Sequence, residues 1–158
     1  MFYSVMNVLR EWKKVFEGDL DSLIYELKDF LNPPATVILS GDVGVGKTTF
    51  TKSFIKSLAT HDQTASPTYS VINEVGEMVH ADFYRLKSAS EVVHLEIPIY
   101  LEDKDYFFVE WGKAYLSELY QEVPREFSFY ELLFEVNPLR EGQDVPSRNL
   151  RLIKLPSR

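Results

Sequence analysis

The chain has 158 residues, of which 45% are apolar and 14% aromatic, a composition that excludes a disordered protein and predicts one packed domain over residues 1–158. It contains no cysteine, which excludes disulfides and thiolate metal sites, and we expect a cytoplasmic protein with no membrane span. The formal net charge of −7 is unlike that of a protein that grips DNA or RNA directly, so any nucleic acid is expected to be reached through a partner.

Two elements are predicted at the start of the chain. Residues 1–16 mix aliphatic with basic side chains, a pattern typical of a short strand or an edge segment. Asp19 or Asp21 would then cap an amphipathic helix whose apolar stripe runs from Leu20 to Leu31. A pair of prolines ends this helix.

Residues 36–49, TVILSGDVGVGKTT, form the motif around which the chain is organised. They match the phosphate-loop pattern G-x-x-x-x-G-K-[ST] between an apolar strand and an amphipathic helix that is expected to reach about residue 59. The glycines allow backbone N–H groups to surround a phosphate, which the helix N-terminus also attracts. Lys47 would reach the β- and γ-phosphates, and the Thr48 hydroxyl would ligate Mg²⁺. The sequence therefore predicts a nucleoside triphosphate site.

A polar linker over residues 61–66 follows and leads into the tripeptide Ser66-Pro67-Thr68. The proline fixes the backbone, and the Thr68 hydroxyl would sense the γ-phosphate if this tripeptide is a switch loop. The alternative is an ordinary turn, and the sequence alone does not separate the two.

A β-hairpin is predicted next. Residues 69–73 and 78–83 have the composition and alternation of strands, and Gly76 allows the turn between them. In the second strand the alternation places His80 and Asp82 on the same face.

The second motif is a buried strand with a carboxylate at its end. A short helix over residues 88–94 and an irregular stretch over residues 97–101 around a proline precede it. Residues 106–109 are a continuous apolar run that ends in Glu110, which fits the Walker B position, where a carboxylate holds the hydration shell of Mg²⁺. Asp82 competes for this role, and we expect both carboxylates to face the metal, one of them near the attacking water.

The remaining part of the chain predicts closing elements. A helix is expected from Gly112 through Leu119, and strands are expected over residues 127–136 and 150–155. The polar loop between the two strands, residues 138–146, carries no pattern that indicates a function.

Three further residues have open interpretations. Arg85 is either an arginine finger or a member of a structural ion pair, and Trp111 is either a core residue or an exposed contact for a partner. His80 is better explained as a hydrogen-bonded strand residue than as a base. The three histidines of the chain do not have zinc-site spacing.

Four motifs together resemble the TsaE (YjeE) family, the small ATPases of tRNA threonylcarbamoyladenosine biosynthesis. They are GDVGVGKTT at residues 41–49, SPTY at 66–69, HADFYRL at 80–86 and VEW at 109–111. The phosphate loop is generic, whereas the other three are specific to that family, and the resemblance covers about residues 17–155.

The resemblance implies an α/β fold of the P-loop NTPase type, with three layers and a mixed, mainly parallel sheet. It also implies slow, Mg²⁺-dependent hydrolysis of ATP in the service of a complex with TsaB and TsaD. Those two proteins transfer the threonylcarbamoyl group to a tRNA adenosine beside the anticodon, so this chain would meet tRNA only indirectly.

Residue roles follow from the same resemblance. The implied catalytic residues are Lys47, Thr68 (the switch residue), Asp82 and Glu110. The implied Mg²⁺ ligands are Thr48, Glu110 and, beside them, Asp82. The residues expected to contact ATP are Asp42, Val43, Gly44, Val45, Gly46, Lys47, Thr48, Thr49, Trp111 and Arg148.

Two other functions compete with the ATPase. A small-molecule kinase of the nucleoside type would use Asp82 as the base toward a hydroxyl acceptor and Arg85 as a clamp, but no lid with spaced arginines lies between Gly112 and Pro124. A binding module gated by the nucleotide would hydrolyse ATP only incidentally. GTP is disfavoured because the chain has no N-K-x-D motif to recognise the base.

Overall fold

The computed structural model describes residues 7–58 and 70–158. Seven strands form its centre: β1 (Asn7–Val15), β2 (Ala35–Ser40), β3 (Ile72–Val75), β4 (Met78–Asp82), β5 (Tyr106–Glu110), β6 (Ser128–Val136) and β7 (Arg148–Lys154). They lie in the order β1-β7-β6-β2-β5-β4-β3 in one sheet. The predicted edge strand, buried strand and closing strands are therefore confirmed, and so is the hairpin, although its first strand is Ile72–Val75 and not residues 69–73 as predicted.

Five α-helices connect these strands within the described residues: α1 (Leu20–Phe30), α2 (Lys47–Lys56), α3 (Ala89–His94), α4 (Ile97–Tyr100) and α5 (Leu116–Glu122). Single turns of 3-10 helix precede α1 and α5, at Glu17–Asp19 and Lys113–Tyr115. Helix α2 ends at Lys56, three residues before the predicted end at about residue 59. No helix in this part of the chain is long and apolar enough to cross a membrane.

The prediction of irregular structure at residues 97–101 is wrong, because Ile97–Tyr100 form the short helix α4. Pro98 stands in the first turn of this helix, where the missing N–H of proline removes no intrahelical hydrogen bond. A proline at that position starts a helix and does not break one.

The sheet is mixed, as predicted. Its three central pairings, β6 with β2, β2 with β5 and β5 with β4, are parallel. The three outer pairings, β1 with β7, β7 with β6 and β3 with β4, are antiparallel. The parallel strands are thus concentrated in the middle of the sheet, and β2 is buried along nearly its whole length because elements cover both faces.

Two apolar layers cover the two faces of the sheet. On one face α1 and α2 pack on the strands through a cluster that contains Phe50, Phe54 and Phe108, with the Phe54 and Phe108 rings 4.5 Å apart. On the other face α3, α4 and α5 contribute to a cluster that contains Phe107. Neighbouring residues of β5 thus point to opposite layers, as strand alternation requires. The three-layer α/β fold is confirmed.

The register of the parallel strands brings the chemical groups together. Leu39 at the end of β2 pairs with Glu110 at the end of β5, and Glu110 pairs in turn with Asp82 at the end of β4. Because parallel strands end at the same edge of a sheet, the loop after β2 and both carboxylates lie at that edge.

Candidate functional site

A cleft of about 420 Å³ opens at this edge of the sheet. The loop after β2, the ends of β4 and β5, and the start of β7 contribute its walls. Its lining residues are Val43, Gly44, Gly46, Lys47, Thr48, Thr49, Asp82, Tyr84, Glu110, Trp111 and Arg148. The structure therefore gathers most of the predicted site residues around one cavity.

The glycines shape the loop in two different ways. Gly46, the residue before α2, has a φ of 100°, a left-handed conformation that favours glycine. Gly41 lies against β6, and a Cβ atom built there would stand 2.8 Å from the carbonyl oxygen of Phe134. The loop can therefore approach β6 and turn into the helix only because these two residues lack side chains.

Lys47 is only 5% exposed and lies at the floor of the cleft. Its Nζ donates to the carbonyl oxygen of Gly41 at 2.7 Å and stands 3.5 Å from the centre of the Trp111 ring. Burial lowers the pKa of this ammonium, and the carboxylates of Glu110, Asp82 and Asp42 oppose the decrease. A cation is thus placed where an anionic ligand of the loop would lie.

Glu110 connects the loop to the sheet. Its side chain is almost fully buried, at 4% exposure, and its Oε1 accepts a hydrogen bond from the Thr48 hydroxyl at 3.0 Å. Its Oε2 stands 2.6 Å from Nε2 of His80, so the imidazole orients the carboxylate. His80 thus lies in a hydrogen-bonded strand position, as the sequence favoured.

Asp82 has a different environment from Glu110. It is exposed in the cleft, and its Oδ1 accepts a hydrogen bond from the backbone N–H of Tyr84 at 3.0 Å. Glu110, and not Asp82, holds the Thr48 hydroxyl. The two carboxylates therefore face the same cavity with unequal access to solvent.

Aromatic and cationic side chains form the rest of the cleft. Trp111 is half-buried, and its backbone has a φ of 60°, which is unusual for a bulky residue and is found where surrounding structure holds it. Its ring lies 5.2 Å from the Tyr84 ring. At the opposite wall the Arg148 Nε donates to the carbonyl oxygen of Val45.

Tyr84 was missed as a lining residue when the sequence was read alone. It is 62% exposed, and it lies two positions after Asp82 inside the HADFYRL motif. The available signal was its place in the HADFYRL motif, two positions after a candidate carboxylate.

Other predicted residues lie outside the cleft lining. Asp42 is exposed in the loop, whereas the Val45 side chain is buried in the core at 4% exposure, so its contact with a ligand would have to use the backbone. Arg85 is exposed and does not line the cavity. Thr68 lies outside the described residues.

A buried carboxylate on β6, that of Glu131, contacts two segments next to the cleft. Glu131 is 5% exposed, and its Oε2 accepts a hydrogen bond from the Ser40 hydroxyl at 2.6 Å. The same oxygen lies 3.1 Å from the Nζ of Lys113. One side chain therefore ties the residue before the phosphate loop to the segment that follows Trp111.

The donor atoms at the cleft suit a hard cation. Thr48, Glu110 and Asp82 offer one hydroxyl and two carboxylates, the oxygen ligands that Mg²⁺ prefers. No cluster of three or more histidine or acidic side chains that could enclose a metal occurs in the part of the chain that the structure describes.

Comparison with protein families gives one match over most of the chain. The model of the family "Threonylcarbamoyl adenosine biosynthesis protein TsaE" matches residues 16–135. The tRNA threonylcarbamoyladenosine biosynthesis protein TsaE of Bacillus subtilis is 32% identical over 116 residues, which are 71% of this chain and 72% of that protein. The protein of the same name from a Nostoc species is 35% identical over 111 residues, 63% of this chain and 68% of the relative.

A solved structure has the same fold. The crystal structure of YdiB from Bacillus subtilis superposes with a TM-score of 0.62 and covers 96% of this chain and 88% of the other. The sequences are 22% identical in this comparison. The likeness therefore confirms the P-loop type of α/β fold.

Proposed function

Because this chain belongs to the TsaE family of threonylcarbamoyl adenosine biosynthesis proteins, we propose that it is a Mg²⁺-dependent ATPase of the tRNA-modifying machinery. It would act in the cytoplasm as an accessory subunit, with TsaB- and TsaD-type proteins as partners and with tRNA reached through them. The whole chain would form one ATPase domain.

The observation that carries this proposal is the 3.0 Å hydrogen bond from the Thr48 hydroxyl to Glu110. It joins the hydroxyl of the phosphate loop to the carboxylate of the second motif, and these are the two protein ligands that P-loop enzymes offer to a metal. When bound, Mg²⁺ would neutralise charge on the β- and γ-phosphates. Glu110 and Thr48 would hold it, and His80 would keep the carboxylate oriented at 2.6 Å.

The chain's own groups account for the rest of phosphoryl transfer. The backbone N–H groups of the loop and the Lys47 ammonium would bind the phosphates and stabilise the negative charge of the transition state. Asp82, the more exposed carboxylate, would orient the attacking water. Since Glu110 is held by two hydrogen bonds, it is the poorer candidate for that task.

A small apolar recess beside the loop is the best place for the adenine ring. Gly46 and Thr49, which also line the cleft, form one wall of this recess. Its other lining residues include Phe16, Leu20 and Arg148. Phe16 is 39% exposed, so its ring can accept a stacked base. Thr68 remains the proposed switch residue on the γ-phosphate side.

The first experiment measures nucleotide binding by calorimetry with Mg²⁺ present. The wild-type chain is expected to bind ATP, and Lys47→Ala is expected to lose at least about tenfold in affinity, because a buried cation that contacts the phosphates is removed. Lys56→Ala is the matched control, since Lys56 is an exposed lysine at the far end of the same helix. Absence of ATP binding by the wild type, alone and with its partners, contradicts the proposal.

The second experiment separates hydrolysis from transfer to an acceptor. ATP is incubated with the chain and a panel of nucleosides, and free phosphate and phosphorylated nucleosides are both measured. Free phosphate is expected as the product, in agreement with the exposed position of Arg85 away from the cleft lining. A phosphorylated nucleoside formed faster than free phosphate would support the kinase instead.

The third experiment tests whether hydrolysis is needed for modification. The chain is added to TsaB- and TsaD-type proteins, and modified tRNA is counted over several turnovers. A Glu110→Gln variant that still binds ATP is expected to stop after the first round. Full support of repeated rounds by this variant would favour a binding module whose hydrolysis is incidental.

A further inference from the structure

A second cavity, of about 330 Å³, lies between the end of β1 and the loop that joins β6 to β7. We call it the basic pocket. The lining residues that matter for its chemistry are Lys13, Lys14, Phe16, Asn137, Arg140 and Asn149. Three cations and no carboxylate line this cavity, on a chain whose formal net charge is −7. The loop between β6 and β7 also carries two acidic residues, Glu141 and Asp144. Both are exposed, and neither lines the basic pocket.

The cations of the basic pocket make no ion pair within the described residues, although Lys13 also lines another cavity together with Glu11 and Glu135. In the part of the chain that the structure describes, the side chains of Lys13, Lys14 and Arg140 form no ion pair. On the same strand β1, by contrast, Glu11 pairs with Arg151 at 2.9 Å. An anionic ligand in this pocket would meet three cationic side chains that have no ion-pair partner among the described residues.

The backbone that presents the two lysines is held in an uncommon conformation. The register of β1 against β7 shifts between Trp12 and Val15, and Lys14 has a φ of 55° at this bulge. The backbone N–H of Lys14 donates to Asn149 Oδ1 at 3.1 Å, and Asn137 Nδ2 donates to the same oxygen at 2.9 Å. A positive φ at a non-glycine residue such as Lys14 persists where the surrounding structure enforces it, and such backbone conformations are frequent at binding sites.

Exposed apolar side chains accompany the charges. Phe16 lines the pocket and is 39% exposed, and the loop after β6 carries Leu139 and Val145, which are 56% and 58% exposed. Arginine and apolar side chains beside one another are typical of protein interfaces. An RNA strand would instead need cations spread along several phosphates, whereas these three converge on one cavity.

We propose that the basic pocket binds an acidic segment of a partner protein. Carboxylates of that segment would meet Lys13, Lys14 and Arg140, and its apolar residues would pack against Leu139, which leaves Phe16 to the proposed adenine recess. The inference rests on the proposed function, because the partners meant are the proteins of the tRNA-modifying assembly. It adds a docking site outside the nucleotide cleft.

The test is a charge reversal measured by calorimetry against the TsaB- and TsaD-type proteins. The double variant Lys13→Glu/Arg140→Glu is expected to weaken association by roughly tenfold or more, with Mg²⁺·ATP binding unchanged. The control Lys56→Glu/Arg125→Glu carries the same net charge and alters two exposed cations elsewhere, and it is expected to stay within about twofold of the wild type. Raising NaCl from about 0.05 to about 0.5 M should weaken the wild type more than the Lys13/Arg140 variant.

Two competitors identify the ligand chemistry. A peptide of alternating glutamate and leucine is expected to compete with the partner proteins for the wild type, and single-stranded oligouridylate is not. Competition by the oligouridylate alone would overturn the proposal in favour of RNA.

The remaining outcomes separate this proposal from the proposed function. Equal weakening by both double variants, or none by either, would overturn the docking site alone. Failure of the wild type to associate with the partners would overturn both the docking site and the assembly part of the proposed function.

Discussion

At the scale of single residues, Gly46 is a position where the phosphate loop tolerates little change. Its φ of 100° costs an L-residue about 1–2 kcal/mol. A Cβ atom there would also stand 3.1 Å from Nε of Arg148, whose guanidinium holds the carbonyl of Val45. The site is therefore sensitive to a single methyl group.

Gly46→Ala is expected to lower the free energy of unfolding by about 1–2 kcal/mol and to weaken ATP binding by roughly tenfold. Denaturant unfolding and calorimetry measure the two effects. Gly18→Ala is the control, because Gly18 has no positive φ and an added Cβ meets nothing within 4 Å. Similar behaviour of the two variants would contradict the argument from backbone strain.

Tyr106 gives a prediction for alkaline pH. Burial raises the pKa of its phenol above the usual 10.0, and the carboxylates of Asp105 and Glu77 act in the same direction. The stabilising contribution of the protonated phenol is fully present below pH 10.0 and is lost as the pH rises through the raised pKa of the folded chain.

The wild type is therefore expected to lose more stability than Tyr106→Phe between about pH 9 and about pH 11. Urea unfolding at the two pH values measures the difference. Groups with lowered pKa, such as Lys28, act in the opposite direction but are present in both proteins, so they cancel. An equal loss in the two proteins would mean that the phenol is not perturbed.

At the scale of elements, β6 contacts two segments next to the cleft through Glu131. The carboxylate holds Ser40 at the end of β2 and Lys113 in the turn before α5. The Lys113 turn begins two residues after Trp111, whose ring lies 3.5 Å from the Lys47 Nζ, so we expect Glu131 to help hold that ring in place.

Glu131→Ala is expected to lower the free energy of unfolding by about 1–3 kcal/mol, because the Ser40 hydroxyl loses its partner in a partly buried place. The partly exposed Lys113 adds little to this cost. Tryptophan fluorescence is expected to shift as Trp111 moves, and Trp12→Phe in both proteins isolates that signal. Glu11→Gln, which breaks an exposed pair with Arg151, serves as the control, and its effect should stay within about 0.5 kcal/mol.

At the scale of the whole molecule, ligand binding and stability are linked. The cleft is built from the ends of three strands and the start of a fourth, so a ligand there contacts elements that separate when the sheet unfolds. A ligand that binds only the folded chain stabilises it by about 2.7 kcal/mol at a concentration of 100 times its dissociation constant.

The melting temperature is therefore expected to rise by several degrees with saturating Mg²⁺·ATP, by roughly 2–4 °C per kcal/mol for a chain of this size. Lys47→Ala should show at most about half of this rise at the same nucleotide concentration, and removal of the metal with a chelator should reduce it in the wild type. A rise of the same size in Lys47→Ala would place the nucleotide away from the cleft.

Much of the fold could be read from the sequence because it depends on local patterns. The apolar stripe of α1, the continuous apolar run of β5 and the alternation in β4 predicted these elements. The phosphate loop could also be predicted from a local pattern, because the spacing of glycines between a strand and a helix is sufficient to specify the loop's geometry. The exception was α4, where a proline that starts a helix resembles one that breaks it.

What the sequence alone determined was the loop, the two candidate carboxylates and the family that their motifs indicate. Only the tertiary structure decided that Glu110 holds Thr48 while Asp82 stays open, because strand register and the contact with His80 distinguish two residues that the sequence treats alike. It also brought Arg140 beside Lys13 and Lys14, in a pocket formed by segments more than a hundred residues apart along the chain. Charge clusters of this kind depend on how distant segments pack, and no local pattern in the chain records that packing.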